Sequence, residues 1–406
     1  MNNGKSNQRN PNIKHRNKVL MKIGIVCYPT YGGSGVVATE LGKALAKVGH
    51  QVHFITYSQP SRLDFFNENI YYHEVSISSY PLFQYLPYES ALASKIVDVV
   101  ANEHLDLLHV HYAIPHASAA FLAKQILKSK GIHIPFITTL HGTDITLVGK
   151  DPSFEPVVTF SINESDGVTA VSESLRNDTY AGFEIVNRIQ VIPNFIDLER
   201  FKKLRKDHFK IAICPNGEKL LMHTSNFRKV KRIDDIVRVF HLVNQQIPSK
   251  LLLVGDGPER TAIEMLCREL GVQQDVRFLG KLDVIEEVLS LADVFLLTSE
   301  KESFGLAALE AMACEVPVIS SDAGGITEVN IHGVTGFVSK IGDVEDMAKN
   351  TIALLNDDEK LAEFKHNAHE QAKRFDIEII LPMYERYYEE VTSKSWKFPS
   401  QICVEK

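Results

Sequence analysis

Cysteine is scarce in this chain: five residues (Cys27, Cys214, Cys267, Cys314, Cys403) among 406, none in a Cys-x-x-Cys spacing. An odd, scattered set argues against a disulfide framework and for a reduced, cytoplasmic protein. No apolar run approaches the ~20 residues that a membrane-spanning helix needs. Residues 1–20 are polar and basic and lack the apolar segment of a signal peptide. This leader is expected to be disordered or to precede the true start, with the folded chain opening at Met21. No Asp-x-Asp occurs, so a common metal–diphosphate clamp is missing, and neither a metal nor another cofactor is expected. The first glycine-rich loop is not Gly-x-Gly-x-x-Gly, and no acid stands clearly at the end of the second strand, which disfavours a nicotinamide site. Excess positive charge is absent too. With 44 basic and 51 acidic side chains the net charge is −7, and no basic, aromatic face points to nucleic acid.

What is present describes a globular protein with 44% hydrophobic and 23% charged residues, too long for one ordinary core. Short apolar runs alternate with helical stretches, the pattern of βα units and parallel sheets. Strands are expected at 23–27, 52–56, 107–111, 136–140, 167–171 and 189–192. The rhythm repeats at 220–224, 251–254, 276–279, 294–297, 317–320 and 336–338. The chain therefore reads as α/β, two doubly wound Rossmann-like domains at 21–198 and 199–376. Pro193 to Asp197 and the charged stretch after it form the joint. Residues 377–406, with Tyr384, Tyr387 and Tyr388, are expected to pack as a helix back across the first domain. Ligands of such sheets bind at the carboxyl ends of strands, so two facing domains place the site in the cleft between them.

The most informative segment is Ser299 to Glu310, which leaves an expected strand and enters a helix. Glu302 and Glu310 are eight positions apart with Gly305 between them. If Glu302 lies in the loop, both acids can address one long ligand, and the amides of Phe304, Gly305 and Leu306 can hold a phosphate at the helix N-terminus. That layout suits a nucleotide sugar; two solvated glutamates on a surface helix is the plain alternative. The loop Tyr28 to Gly35, with Gly32, Gly33 and Ser34, offers a second helix N-terminus. Arg228, Lys229, Lys231 and Arg232 follow another strand, either to neutralise a diphosphate or as a solvated turn. His141 leaves a strand in His-Gly-Thr-Asp and can reach a sugar hydroxyl or an acceptor. His109, His111 and His116 superficially suggest a metal but have no further ligand cluster beside them.

Together these segments resemble the retaining GT-B glycosyltransferases of family 4 over nearly all of residues 21–390. The resemblance implies GT-B architecture, with the two domains facing across a cleft, and a UDP-sugar donor used without metal. It implies Glu302 on the donor sugar, Glu310 on the ribose, and Arg228 and Lys231 on the diphosphate. Gly33, Phe304, Gly305 and Leu306 would line the donor side. Ser225-Asn226 stands where the family usually has Gly-Arg, so the arginine arrives two positions late. Residues 25–42, 109–117 and 141–146 look like the branch of that family that joins N-acetylglucosamine from UDP-GlcNAc to L-malate in bacillithiol biosynthesis. On that resemblance Ser34, Tyr112 and Thr139, beside His141, would hold the acceptor. A transferase with another acceptor, a UDP-GlcNAc 2-epimerase and a non-catalytic nucleotide-sugar sensor stay open, as does a homo-oligomer.

Overall fold

The computed structural model describes residues 19–30, 32–63, 67–76, 87–204, 207–282 and 284–395. Residues 1–18 of the leader, Tyr31 of the glycine-rich loop and the tail 396–406 lie outside them.

The first half alternates β1 (Lys22–Val26), α1 (Gly33–Lys47), β2 (Gln51–Thr56), β3 (Ile70–Glu74), α2 (Tyr88–Glu103), β4 (Leu107–His111) and α3 (Ser118–Ser129). It continues through β5 (Phe136–Leu140), α4 (Glu155–Asn163), β6 (Gly167–Ala170), α5 (Glu173–Gly182) and β7 (Ile189–Val191). All seven strands are parallel, in the order β3-β2-β1-β4-β5-β6-β7. Strands β4 and β5 are buried on both faces, which takes their polar residues His109, His111, Thr138 and Thr139 out of water as well. Strand β3 was not expected. Its Tyr71 and Tyr72 are exposed, so this edge strand has neither an apolar run nor a clean period of two.

The second half runs α6 (Asp207–Ile213), β8 (Lys219–Thr224), α7 (Ile233–Asn244), β9 (Ser249–Val254), α8 (Arg260–Glu269), β10 (Val276–Gly280), α9 (Ile285–Leu289) and β11 (Val294–Leu297). Then come α10 (Leu306–Ala313), β12 (Val318–Ser321), α11 (Ile326–Val329), β13 (Gly336–Ser339), α12 (Val344–Leu355), α13 (Asp358–Lys373) and α14 (Ile377–Ser395). Six parallel strands form the order β10-β9-β8-β11-β12-β13. Helix α6 begins inside the charged stretch read as part of the joint.

Each sheet reverses its winding once, at β1/β4 and at β8/β11, and the loops leaving those strands open a crevice there. The chain crosses between domains twice. Ile196 and Asp376 form a parallel bridge, with Ile196 N–H to Phe375 O at 2.9 Å and Ile377 N–H to Ile196 O at 2.9 Å. Helix α14 then lies on the first domain. Ile380, Leu381, Tyr384, Tyr388 and Val391 are buried in the same cluster as Ile23, Ile25 and Leu41. Tyr388 Oη sits 2.7 Å from His109 Nδ1, and Glu385 pairs with His50 at 2.9 Å. A second apolar cluster is continuous across the domain boundary, joining Leu140, Ile145 and Leu175 to Phe304, Ala323 and Ile326.

Candidate active site

On the first domain, the first turn of α1 packs against the exit of β1 at Gly35, where a Cβ would stand 2.5 Å from the Thr30 carbonyl oxygen. No side chain caps this helix, which leaves its first amides facing the crevice. Ser34 Oγ accepts from Tyr112 Oη at 2.7 Å. Tyr112 leaves β4 with φ +88°, an uncommon backbone for a bulky residue, and its amide is tied to Thr139 O at 2.9 Å. Burial, against a smaller opposing bond from Ser34, pushes its phenol up to about 12, so it stays protonated.

The turn after β5 is organised by Asp144. Its carboxylate accepts from the amides of Ala113, His141 and Gly142 at 3.1, 3.3 and 3.0 Å, binding the exits of β4 and β5 together. Burial raises it to about 6 even against those three donors. His141 is nearly buried and Nε2 engages His111 Nδ1 at 2.8 Å. Burial, then the neighbouring His116, lower it to about 3, which makes it a neutral hydrogen-bonding group near pH 7 rather than a proton carrier.

On the second domain, the basic turn after β8 is bound to the exit of β11. Thr298 Oγ1 donates to Lys231 O and Arg232 O at 3.0 and 2.8 Å, and Glu300 N–H to Val230 O at 2.8 Å. Lys231 Nζ thereby meets Glu302 Oε2 at 2.7 Å, and Ser299 Oγ donates to the same oxygen at 3.2 Å. Gly305, at φ +96°, precedes α10 and has no room for a side chain, since a Cβ would lie 2.4 Å from Ile326 Cδ1. Phe304 is buried against Phe375, so only its backbone can serve a ligand. No side chain caps α10.

The two faces touch. Ser303 Oγ donates to His141 O and Ser172 Oγ to Ser303 O, both at 2.6 Å. Glu328 accepts the first amides of α5, from Glu173 and Ser174, at 3.0 and 2.8 Å. Leu306 Cδ2 lies 3.9 Å from where a Cβ on Gly33 would stand, which sets the glycine-rich loop against the start of α10.

Two expectations, for Thr139 and Arg228, need correction, and a third, for Glu310, takes on a condition. Thr139 does not face the crevice: it is fully buried within the sheet, its hydroxyl taken by His109 Nε2 and Thr169 Oγ1, both at 2.6 Å. Arg228 does not share Lys231's surroundings. It is exposed and lines a groove with Lys229, Asp234 and Glu259, because the turn at 229–231 directs successive side chains apart. Glu310 is buried and faces the first domain, with Arg62 Nη1 at 3.9 Å, beside a cavity of about 20 Å³ also bordered by Glu40 and Arg200. That space holds a water or so, so a ribose there requires Arg62 to give way. Arg62, Ser172 and Glu328 carried no local sequence signal, and Ser303, though inside 299–310, was not singled out there. Asp144 did, through its place in His-Gly-Thr-Asp. Among the described residues no group of three or more His, Cys, Asp or Glu side chains is disposed to hold a metal.

Burial raises Glu310 from an ordinary 4.5 to about 7; Arg62 and Arg200 oppose the shift. A folded value above the unfolded one means full stability below about pH 4.5, lost as pH rises through 7. The difference corresponds to about 3 kcal/mol at pH 8. Glu310→Gln is expected to remove this dependence, so unfolding of the ligand-free variant at pH 8 should need up to that much more free energy than wild type. Denaturant titrations at pH 5 and 8 measure it; parallel pH slopes for the two proteins would exclude Glu310 as the source.

An uncapped helix start and a lysine–glutamate pair face the polar strand exits of a second Rossmann-like sheet, a cleft suited to a long anionic ligand such as a sugar nucleotide. Residues 31–200 match Glycosyltransferase Family 4 and residues 205–371 match Glycosyl transferases group 1. The chain belongs to the family 4 glycosyltransferases, of GT-B fold. It is 50% identical over 374 residues to the N-acetyl-alpha-D-glucosaminyl L-malate synthase of Bacillus anthracis, covering 91% of this chain and 97% of that one. It is 24% identical to the phosphatidylinositol N-acetylglucosaminyltransferase gpi3 subunit of Schizosaccharomyces pombe, over 91% of this chain and 80% of that one. Among solved structures, sucrose-phosphate synthase from Thermosynechococcus elongatus superposes with a TM-score of 0.77 at 21% identity, covering 92% of this chain and all of that one. Anabaena HepE in complex with UDP and glucose gives 0.76 at 22%, over 91% and 99%.

Proposed function

We propose that this chain transfers N-acetylglucosamine from UDP-GlcNAc to the hydroxyl of L-malate with retention, giving the α-glycoside that begins bacillithiol biosynthesis. The observation that carries the substrates is the 50% identity, over nearly the full length of both chains, to the synthase named for that product. On this reading Lys231 neutralises the diphosphate, Glu302 holds sugar hydroxyls and Glu310 takes the ribose once Arg62 moves. The amides at the start of α1, with Ser34 and Tyr112, hold the malate carboxylates.

Asp144, the carboxylate between the exits of β4 and β5, is committed to three amides and is not placed to act as general base. We assign the proton instead to the leaving group. The malate hydroxyl oxygen attacks the anomeric carbon on the face that UDP vacates, the C1–O bond to the β-phosphate breaks, and a β-phosphate oxygen receives the hydroxyl proton. The protein contributes position and charge, and the reaction needs no metal. A reduced, cytoplasmic setting suits the four described cysteines, all buried and free. Among the described residues no helix is long and apolar enough to cross a membrane.

Turnover of UDP-GlcNAc, assayed with L-malate, D-malate, neutral hydroxy compounds and no acceptor, tests the assignment. L-malate is expected to be used at least about 10- to 100-fold better than acceptors lacking a carboxylate, because those leave buried donors unpaired. Transfer to a neutral polyol with malate ignored would remove the acceptor. Isomerised sugar without any acceptor would point to an epimerase.

A further inference from the structure

His109, His111, His116 and His141 pack together where β4 and β5 end, with the His111 ring 4.5 Å from that of His109 and 5.0 Å from that of His141. Their protons can be assigned by elimination. His116 Nδ1 contacts the His111 carbonyl oxygen, which only accepts, so His116 carries its proton on Nδ1. Its Nε2, buried and without a partner, is then a bare lone pair. His111 Nε2 is also buried and without a partner, and His111 Nδ1 shares one proton with His141 Nε2.

Two arrangements are available to neutral rings. If His141 donates, His111 must carry its own proton on Nε2 and bury an N–H with no acceptor. If His111 donates from Nδ1, the unpaired Nε2 is a lone pair, as in His116. Orphaned buried N–H groups are the rarer and costlier of the two. His109 does not compete, because Tyr388 and Thr139 occupy both of its nitrogens. Burial, the main cause for each of the four, holds all these rings below ordinary histidine values, which keeps them neutral.

We propose that His111 is a positioning residue that fixes His141 as the Nδ1–H tautomer, so that the crevice wall presents a neutral hydrogen-bond donor to an oxygen of the substrate. His141 sits at the contact between the domains, where Ser303 holds its carbonyl and the Tyr112 ring lies 5.2 Å away. With Nε2 committed to His111, Nδ1 is the nitrogen left for a ligand. Resting on the glycosyltransferase reading, the oxygen is a hydroxyl of the transferred sugar. The opposite tautomer would offer that hydroxyl a lone pair and force it to donate.

The test is long-range proton–nitrogen correlation on full-length protein with 15N-labelled histidine, the His141 signals assigned by their loss in His141→Gln. An Nδ1–H pattern for His141 is expected; an Nε2–H pattern overturns the proposal. Kinetics supply the second arm. In His111→Asn the amide nitrogen can take the place of Nδ1 and should keep kcat within a few-fold. His111→Phe fills the space without a donor and should lower kcat by roughly 10- to 100-fold, by analogy with partners that orient metal-bound imidazoles. UDP affinity, set on the second domain, should hold in both. Wild-type kcat in His111→Phe would also refute the role. If wild type turns over no sugar nucleotide at all, the functional reading fails while the spectra still decide the tautomer.

Discussion

Replacing Lys231 by alanine is expected to lower kcat by about 10²- to 10³-fold, the loss typical for one charge-stabilising group in a closed site. The ammonium is 2.7 Å from Glu302 and both side chains are mostly buried. On the proposed reading, its removal takes away a cation beside the departing diphosphate and leaves a carboxylate there unbalanced, so charge developing on the phosphate meets repulsion instead of attraction. The fold should survive, because the turn is held by Thr298 and Glu300 through backbone atoms that alanine keeps. Arg228→Ala is expected to change kcat far less, since Arg228 faces another groove. Steady-state kinetics with circular dichroism as the folding check decide the matter. Equal losses in the two variants would mean that both cations reach the phosphates in the working enzyme.

The second large effect is expected at Gly142. Its φ of +112° is closed to other residues, and a Cβ would stand 2.7 Å from Ser303 Cβ on the opposite domain. Backbone strain alone costs roughly 1–3 kcal/mol, whereas the collision exists only when the domains are together. Gly142→Ala should therefore penalise the closed form and reduce kcat/KM by about 100-fold, as small displacements of reacting groups do. UDP affinity should change little, since Lys231, Glu302 and the start of α10 all lie on the other domain. Ser303→Ala removes the bond to His141 O without a clash and should cost about tenfold. Small-angle scattering with UDP present would show the alanine variant at Gly142 more extended than wild type. Indistinguishable profiles with full activity would show that this contact does not govern closure.

All strands but β3 were legible because parallel strands covered on both faces are mostly apolar, as at 294–297. The acids at 302 and 310 were legible because a strand, a glycine and a helix follow one another in sequence. What escaped depends on distance along the chain. Ser172 meets Ser303 across 131 residues and Glu173 meets Glu328 across 155, and neither partner marks the other locally. Arg62 is a single arginine after β2, and nothing nearby announces Glu310. Thr139 was misread for a different reason. A residue one short of a strand's end still points into the sheet, while His141, just past the end, leaves it. Arg228 and Lys231 differ likewise: four cations in five positions look like one patch, but a tight turn fans them out.

The return of α14 to the first domain bears on how the chain matures during synthesis. Tyr384 and Tyr388 fill the same cluster as β1 and α1, yet more than 330 residues of translation separate them. A nascent first domain emerges from the ribosome with this face unsealed and His109 lacking its tyrosine partner. The second domain, by contrast, has all its strands before Ile377 and can complete itself first. Arrival of α14, rather than emergence of the amino-terminal half, is then the event that locks the β4 exit into its working shape. A transcript truncated near codon 376 would yield a chain with every residue of the proposed site and an acceptor half that never finishes folding.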